Sequence, residues 1–159
     1  MKPDIDRDDV RNWLSFAIIF VNFPKEGIIL VKEKPPIHNK RLKMWWKLPG
    51  GRSKSQDVSS EATLMRELSE ELGLQNIHRS KTKVFDVNPQ TGAVIYFIEC
   101  IRTPDFIEGL NEIDSIEVFN EEEIFDNEDD IFNKHFRLIK EIIRKEFLFS
   151  QKILEPALT

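Results

Sequence analysis

A short predicted helix between two turn signals limits the possible folds of this sequence more than any other segment. Ser59 is a suitable N-cap, and the run from Ala62 to Leu72 contains no Gly or Pro before Gly73, a natural helix terminator. On a helical wheel of ~100° per residue, the side chains divide into an apolar arc, with Leu64, Met65, Leu68 and Leu72, and a polar arc, with Arg66, Glu67, Glu70 and Glu71. One face is therefore predicted to pack on a sheet while the other presents three carboxylates, with Glu71 partly shielded.

Strands dominate the rest of the chain. Apolar runs bounded by Pro, Gly and Asn predict strands at 13–23, 28–32, 45–48, 79–88, 93–102 and 115–119. A last helix is predicted from about Asp129 to Phe149, capped by Asn127, because apolar residues recur there at helical spacing. This mixture predicts an α/β or α+β fold in which helices cover a mixed sheet. The length of 159 residues predicts one domain, 1–159.

Composition excludes several classes of protein. Apolar residues make up 40% of the chain, but no apolar run has the length of a membrane span. The polar N-terminus does not resemble a secretory signal, and a single cysteine, Cys100, excludes both a disulfide framework and a cysteine zinc site. We therefore expect a cytoplasmic protein without a membrane partner. The net charge of −5 argues against a nucleic-acid partner.

The charge is distributed unevenly along the chain. Between Lys25 and Lys54 there are nine Lys or Arg residues, whereas Thr103 to Asn133 holds twelve Asp or Glu residues and no Lys or Arg. One interpretation is two solvated surfaces. The other is a basic patch for an anionic ligand beside a carboxylate site that needs cations, and it predicts that phosphates are bound by Lys32, Lys34 and Arg41.

The three carboxylates of the predicted helix need an explanation, because like charges three and four residues apart repel each other. Divalent cations such as Mg²⁺ and Mn²⁺ prefer oxygen ligands and would resolve the repulsion. A solvated acidic helix face is the alternative. The preceding Gly50-Gly51 pair favours the metal site, because a loop carbonyl without a neighbouring side chain can approach a metal held by the helix.

The sequence of this helix and of the turn before it resembles the Nudix hydrolase family. The segment Arg66-Glu-Leu-Ser-Glu-Glu-Leu-Gly-Leu74 matches the second half of the family's box in full, and Trp46-Lys-Leu-Pro-Gly-Gly51 is similar to the usual approach to it, so the box spans residues 50–74. One position departs from the pattern. The first glutamate of the box falls on Asp57 or Val58, in a loop one residue longer than usual, and Asp57 is predicted to pair with Arg66 in its place.

The resemblance implies a Nudix-like α/β/α sandwich, with a mixed sheet flanked by the box helix and a C-terminal helix. It also implies hydrolysis of a nucleoside diphosphate linked to another group, with Mg²⁺ or Mn²⁺ as cofactor. By resemblance the metal ligands are Gly50, through its carbonyl, with Glu70 and Glu71. Glu67 matches a metal ligand or the base, and Arg66 matches the residue that orients the glutamates. An extra carboxylate ahead of the last strand is assigned to Glu112, with Glu108 and Asp114 as rivals.

The substrate is less constrained than the reaction. Pro89, sixteen residues after Gly73, resembles a signature of the ADP-ribose pyrophosphatase branch, although Asn-Pro is also ordinary turn chemistry. Hydrolysis of nucleoside triphosphates or oxidised nucleotides is an alternative, and so is a sensor that binds a nucleotide without cleaving it. The three intact glutamates favour the enzyme. A monomer and a homodimer both fit the sequence.

Overall fold

A computed structural model describes residues 13–74, 82–88, 92–107, 109–146 and 148–149. Its seven strands are β1 (Leu14–Phe23), β2 (Gly27–Glu33), β3 (Trp46–Lys47), β4 (Gly50–Arg52), β5 (Thr82–Asn88), β6 (Ala93–Arg102) and β7 (Ile113–Phe119). Its α-helices are α1 (Ser60–Leu72), α2 (Glu121–Asp126) and α3 (Asn133–Lys145), with a 3₁₀ turn at Glu128–Asp130. Pro89 and Glu108 lie outside the described residues.

The strands form one mixed sheet. Its main path runs β3-β2-β1-β6-β5, with β4 also paired to β1 and β7 to β2. Only the β1–β6 pair is parallel among the described strands, and its register is continuous from Leu14 opposite Ala93 to Val21 opposite Cys100. The antiparallel pairing of β1 with β4 brings Phe16 opposite Gly50. The turn at Gly50-Gly51, called the glycine turn below, is therefore fixed to the centre of the sheet.

The sheet separates two apolar clusters, as the alternation of side chains along a strand requires. From β1, Ile18 and Phe20 join the cluster that α3 covers with Phe136, Ile139 and Ile142. Ala17, Ile19 and Val21 point to the opposite cluster, which α1 covers with Leu64, Leu68 and Leu72. The predicted packing of the apolar stripe of α1 on the sheet is confirmed, with Met65 half-buried. The α/β/α sandwich with a mixed sheet, which the family resemblance implied, is also confirmed.

Helix α1 begins and ends at the predicted residues. The Ser59 hydroxyl accepts a hydrogen bond from the Ala62 N–H at 3.0 Å. Gly73 ends the helix in the left-handed region, with φ of 71°, where its N–H bonds back to carbonyls of the last turn. The helix that carries the carboxylates is therefore fixed at both ends by local chemistry.

The predicted C-terminal helix is present but shorter than its predicted range of Asp129 to Phe149, because α3 runs from Asn133 to Lys145, and α2 was not predicted. Helix α2 ends at Asp126, and the chain then becomes extended at Ile131 before α3 begins at Asn133. The cause is tertiary, because Ile131 forms a β-bridge with Trp46 and the Phe132 N–H donates to the Trp46 carbonyl at 2.8 Å. Asn127 makes no side-chain cap there.

None of the helices in the described part of the chain is long and apolar enough to cross a membrane.

Candidate active site

Arg66 is the centre of the polar face of α1. Its Nη1 donates to Glu70 at 2.9 Å and to Glu67 at 3.1 Å, while its Nη2 donates to Asp57 at 2.9 Å and to the Arg52 carbonyl at 2.9 Å. The guanidinium therefore donates to three carboxylates and ties the helix to the preceding loop. In the structure this side chain reduces the like-charge repulsion between Glu67 and Glu70, and Lys54 adds an ion pair with Glu70 at 3.5 Å.

Asp57 is the buried partner of that arginine. Its Oδ2 also accepts from the Thr63 hydroxyl at 2.9 Å and from the Lys54 N–H at 2.8 Å. Arg66 is the main cause that lowers the pKa of Asp57 to about 2. The predicted pairing of Asp57 with Arg66 is confirmed. In this longer loop an aspartate, with a shorter side chain than the glutamate of the family box, holds the arginine.

Glu67 packs directly on the glycine turn. A Cβ placed on Gly51 would lie 2.7 Å from the Glu67 Cδ, so a side chain at position 51 would displace this carboxylate. Burial is the main cause that raises the pKa of Glu67, opposed by the neighbouring Arg66. The second glycine of the pair thus makes room for a carboxylate.

Glu71 is the most buried of the three glutamates, at 8% exposed, and the predicted shielding is confirmed. Its Oε1 accepts from the Gly50 N–H at 2.7 Å. Burial raises the pKa of Glu71 to about 7, and the charge of Lys47 opposes that rise. Lys47 itself is ion-paired to Glu33, so among the described residues no cation makes an ion pair with Glu71.

The first glycine is fixed even more tightly than the second. Gly50 has φ of 139°, a region closed to most side chains, and a Cβ there would lie 2.0 Å from the Ser15 carbonyl oxygen. Gly50 therefore lets the turn approach β1 closely while its N–H faces Glu71.

The donor set fits a hard divalent cation by its chemistry. All candidate ligands are oxygens, and one of them belongs to Glu71, a buried carboxylate for which the described part of the chain supplies no ion-paired cation. In the present side-chain positions no three His, Cys, Asp or Glu residues of the described ranges converge as a metal site would require. Arg66 engages Glu67 and Glu70, so binding a cation would require these two side chains to reorient.

The geometry agrees with a match to a family model. The NUDIX domain model matches residues 11–142, which is most of the chain. The chain belongs to the Nudix family. This confirms the predicted membership and the prediction that the chain is an enzyme, a Nudix pyrophosphohydrolase. Members of this family generally use divalent metal ions.

Solved structures show the same fold at low sequence identity. The NUDIX domain of Shewanella oneidensis NrtR, complexed with ADP-ribose, is 16% identical with a TM-score of 0.62, over 85% of this chain and 88% of that one. A MutT protein from Methanosarcina mazei is 18% identical with a TM-score of 0.59, over 84% and 93% of the two chains.

A bifunctional NMN adenylyltransferase/ADP-ribose pyrophosphatase from Francisella tularensis is 17% identical with a TM-score of 0.62. The alignment covers 84% of the Nudix chain described here but only 41% of the bifunctional protein. No curated protein sequence matches the chain.

The loop before β7 lies against the C-terminal end of α1. The Asn111 side chain donates to the Glu70 carbonyl at 2.8 Å, and the Ile107 N–H donates to the Leu72 carbonyl at 2.9 Å. Glu112 is the next residue after Asn111 and is exposed. The loop that carries the predicted base is thus held beside the helix that carries the predicted ligands.

The three cations predicted to bind phosphate have different surroundings. Lys34 donates to the carbonyls of Gly109 and Asn111 at 3.2 and 3.0 Å, so it holds the loop before β7. Lys32 lies over the Trp46 ring, 4.6 Å from its centroid. Arg41 is exposed on the loop between β2 and β3. The structure therefore gives Lys34 a structural contact and leaves Arg41 accessible.

Sequence reasoning missed the part played by His135. The Leu48 N–H, two residues before Gly50, donates to the buried His135 Nδ1 at 3.0 Å. The three histidines are scattered in the sequence and carry no recognisable spacing. Only the return of α3 to the β3–β4 connection reveals the contact, so no local pattern could have found it.

Proposed function

We propose that this chain hydrolyses the pyrophosphate bond of a nucleoside diphosphate linked to another moiety, with ADP-ribose or a nucleotide sugar as substrate. The observation that carries the proposal is the grouping of Glu67, Glu70 and Glu71 around Arg66 and the two glycines. It supports a site for a divalent cation, Mg²⁺ or Mn²⁺, held by Glu67, Glu70, Glu71 and the Gly50 carbonyl. Zinc is not expected, because the site offers no Cys or His ligand.

A divalent cation there would neutralise pyrophosphate charge and lower the pKa of a bound water. The chain's own residues prepare that site. Arg66 orients Glu67 and Glu70, Asp57 holds Arg66, and Gly50 orients one carboxylate oxygen of Glu71. The second Glu71 oxygen remains as a ligand, and a neighbouring cation would favour its ionised form.

Glu112 is proposed as the base that takes a proton from the attacking water. The helix presents its carboxylates from one side only, so a second element must hold the water. Asn111 anchors the loop to α1 and leaves the Glu112 side chain exposed. A loop of this kind can complete a site once substrate is bound.

Phosphate binding is proposed for the cations of the β2–β3 region. Lys32 and the exposed Arg41 are the first candidates, and Lys34 contributes through the loop that it holds. Lys32 lies in β2, which pairs with β7, and the Lys34 N–H donates to the Glu112 carbonyl at 2.7 Å, so these two residues lie near the loop that carries Glu112.

The choice of substrate has separate support. One structural neighbour is complexed with ADP-ribose, and another is a bifunctional protein that includes an ADP-ribose pyrophosphatase. Nucleoside triphosphates and oxidised nucleotides remain the competing substrate class. The three intact glutamates favour catalysis over sensing. We further propose a single domain over 1–159 that acts in the cytoplasm, as a monomer or homodimer.

The test is a substrate panel assayed with Mg²⁺ and with Mn²⁺. It compares kcat/KM for ADP-ribose, other nucleotide sugars, nucleoside triphosphates and oxidised deoxynucleoside triphosphates. We expect the highest values for ADP-ribose or a nucleotide sugar and no turnover after thorough chelation. Preference for an oxidised triphosphate would replace the substrate assignment. Turnover that survives the loss of all metal would contradict the catalytic site itself.

A further inference from the structure

The short segment Leu48-Pro49-Gly50 connects the two layers of helices. Its Leu48 N–H donates to His135 of α3 at 3.0 Å, and its Gly50 N–H donates to Glu71 of α1 at 2.7 Å. Proline has no N–H, and the Pro49 carbonyl accepts from the Ala17 N–H of β1 at 3.0 Å. Each of the two backbone N–H groups of the segment therefore donates to a helix, and the two helices lie on opposite faces of the sheet.

His135 is suited to be a permanent acceptor. It is 6% exposed, and the rings of Phe16 and Phe132 meet it edge-on at centroid distances of 4.6 and 5.0 Å. Burial is the main cause that lowers the pKa of His135 to about 4, so the imidazole is neutral near pH 7. With Nδ1 accepting from Leu48, the proton of the neutral ring belongs on Nε2.

The position of Gly50 decides how Glu71 is presented. One Glu71 oxygen is fixed by the Gly50 N–H, so a shift of the turn would rotate the carboxylate and move its second oxygen. Gly50 cannot be held by a side chain of its own, and Pro49 offers no donor. Besides the backbone pairing of the turn with β1, the described residues provide one side chain that accepts from the turn on the α3 side, His135, through Leu48.

We propose that His135 is a positioning residue of the active site: its Nδ1 fixes Leu48, and through it the Gly50–Glu71 hydrogen bond. The inference rests on the proposed function, because Gly50 and Glu71 matter only as ligands of a cation. A residue that orients a ligand without touching the metal typically changes metal affinity by about 10-fold or more. A histidine that only fills the core would not change that affinity.

The experiment compares three variants of the whole chain. His135→Phe keeps the aromatic volume and removes the acceptor, whereas His135→Asn restores an acceptor oxygen. Ile139→Ala is the matched control, because Ile139 is fully buried on the same helix and makes no contact with the turn through a polar group. Two quantities are measured: amide hydrogen exchange at Leu48 and Gly50 in metal-free protein, and Mn²⁺ affinity by titration.

We expect His135→Phe to increase exchange at both amides and to weaken Mn²⁺ binding by about 10-fold. His135→Asn should recover much of both, and Ile139→Ala should lower the melting temperature while leaving Mn²⁺ affinity unchanged. Equal weakening by Ile139→Ala, or unchanged exchange at Gly50 in His135→Phe, would overturn the proposal.

Two further outcomes remain decisive. If the wild-type protein binds no Mn²⁺, the proposed function fails, while the exchange at Gly50 in metal-free protein still tests the positioning role. If His135→Phe does not fold, His135→Leu, which also removes the acceptor, is measured in the same way. Faster exchange at both Leu48 and Gly50 supports the proposal, and unchanged exchange at Gly50 rejects it.

Discussion

The chain holds two dense groups of carboxylates, and the structure treats them differently. In α1, Glu67, Glu70 and Glu71 lie against the glycine turn and around one arginine. In α2, the acidic residues occupy the first turn, behind Asn120, where the side chain of Asn120 and that of Glu123 form a capping box. The first group is drawn inward, and the second is placed at the positive end of a helix.

The difference shows that the number of acidic residues does not mark a site. The α2 carboxylates are exposed or partly exposed, and Lys25 holds the pKa of Glu123 below its ordinary value. In α1, burial raises the pKa of Glu71 to about 7, so the fold keeps a carboxylate where its charge is costly. A carboxylate kept at a position where its ionisation is costly indicates a role other than stability.

The largest predicted effect tests the contrast directly. Glu70→Gln removes a proposed metal ligand and should lower kcat/KM on the order of 10³-fold, because several kcal/mol of charge stabilisation is lost. Stability should change by less than ~0.5 kcal/mol, since Glu70 is partly exposed and pairs with Arg66 at the surface of the helix. Steady-state kinetics and thermal unfolding measure the two quantities.

Glu122→Gln is the matched control for this substitution. Glu122 lies in the first turn of α2 and is exposed. It should keep wild-type kcat/KM. A comparable loss in both variants would show that the two acidic groups are not functionally distinct.

The second prediction concerns the loop before β7. Glu112→Gln should lower kcat by about 10²-fold, the lower part of the range for loss of a general base, and leave Mn²⁺ affinity largely intact. Asp114→Asn is the control, because Asp114 is also exposed and lies two residues away. Loss of activity in Asp114→Asn alone would assign the role of the base to Asp114 instead of Glu112. Normal kcat in both variants and in Glu108→Gln would make Glu67 the leading candidate.

The third prediction compares two aspartates paired with cations. Asp57 is buried beside Arg66, whereas Asp130 pairs with Lys43 at the surface, 3.2 Å away. Because the folded-state pKa of Asp57 falls from 3.8 to about 2, Asp57→Asn should cost about 2 kcal/mol at pH 7. Asp130→Asn should cost less than ~1 kcal/mol. Urea unfolding measures both.

The pH dependence of this pair has a definite sign. A lowered folded-state pKa stabilises the protein above the unfolded-state pKa, and that stability is lost as the pH falls through the folded-state value. The difference between wild type and Asp57→Asn should therefore be constant above about pH 5 and shrink towards pH 2. A difference that grows on acidification would contradict the assignment of the charged pair.

The polar and apolar faces of α1 could be predicted from the sequence because they depend only on residues within or next to the helix. The cap at Ser59, the stop at Gly73 and the arc that holds Glu71 all follow from residues within one helix. The interruption at Ile131 and the His135–Leu48 hydrogen bond depend instead on residues far apart in the sequence. The helical periodicity continues through the break, so no local pattern could have located it.

Asn120 provides the smallest effect and a test of the structural role of α2. Its Oδ1 accepts from the Glu123 N–H at 2.8 Å, and the Glu123 side chain accepts from the Asn120 N–H at 3.0 Å. Asn120→Ala should cost about 1 kcal/mol of stability, while Asn120→Asp, which preserves a capping oxygen, should cost much less. Neither should change kcat/KM, because α2 contributes no proposed ligand. A lower kcat/KM in Asn120→Ala that Asn120→Asp restores would mean that α2 supports the active site. The two acidic groups would then both serve catalysis, and α2 would differ from α1 only in lying farther from the reacting groups.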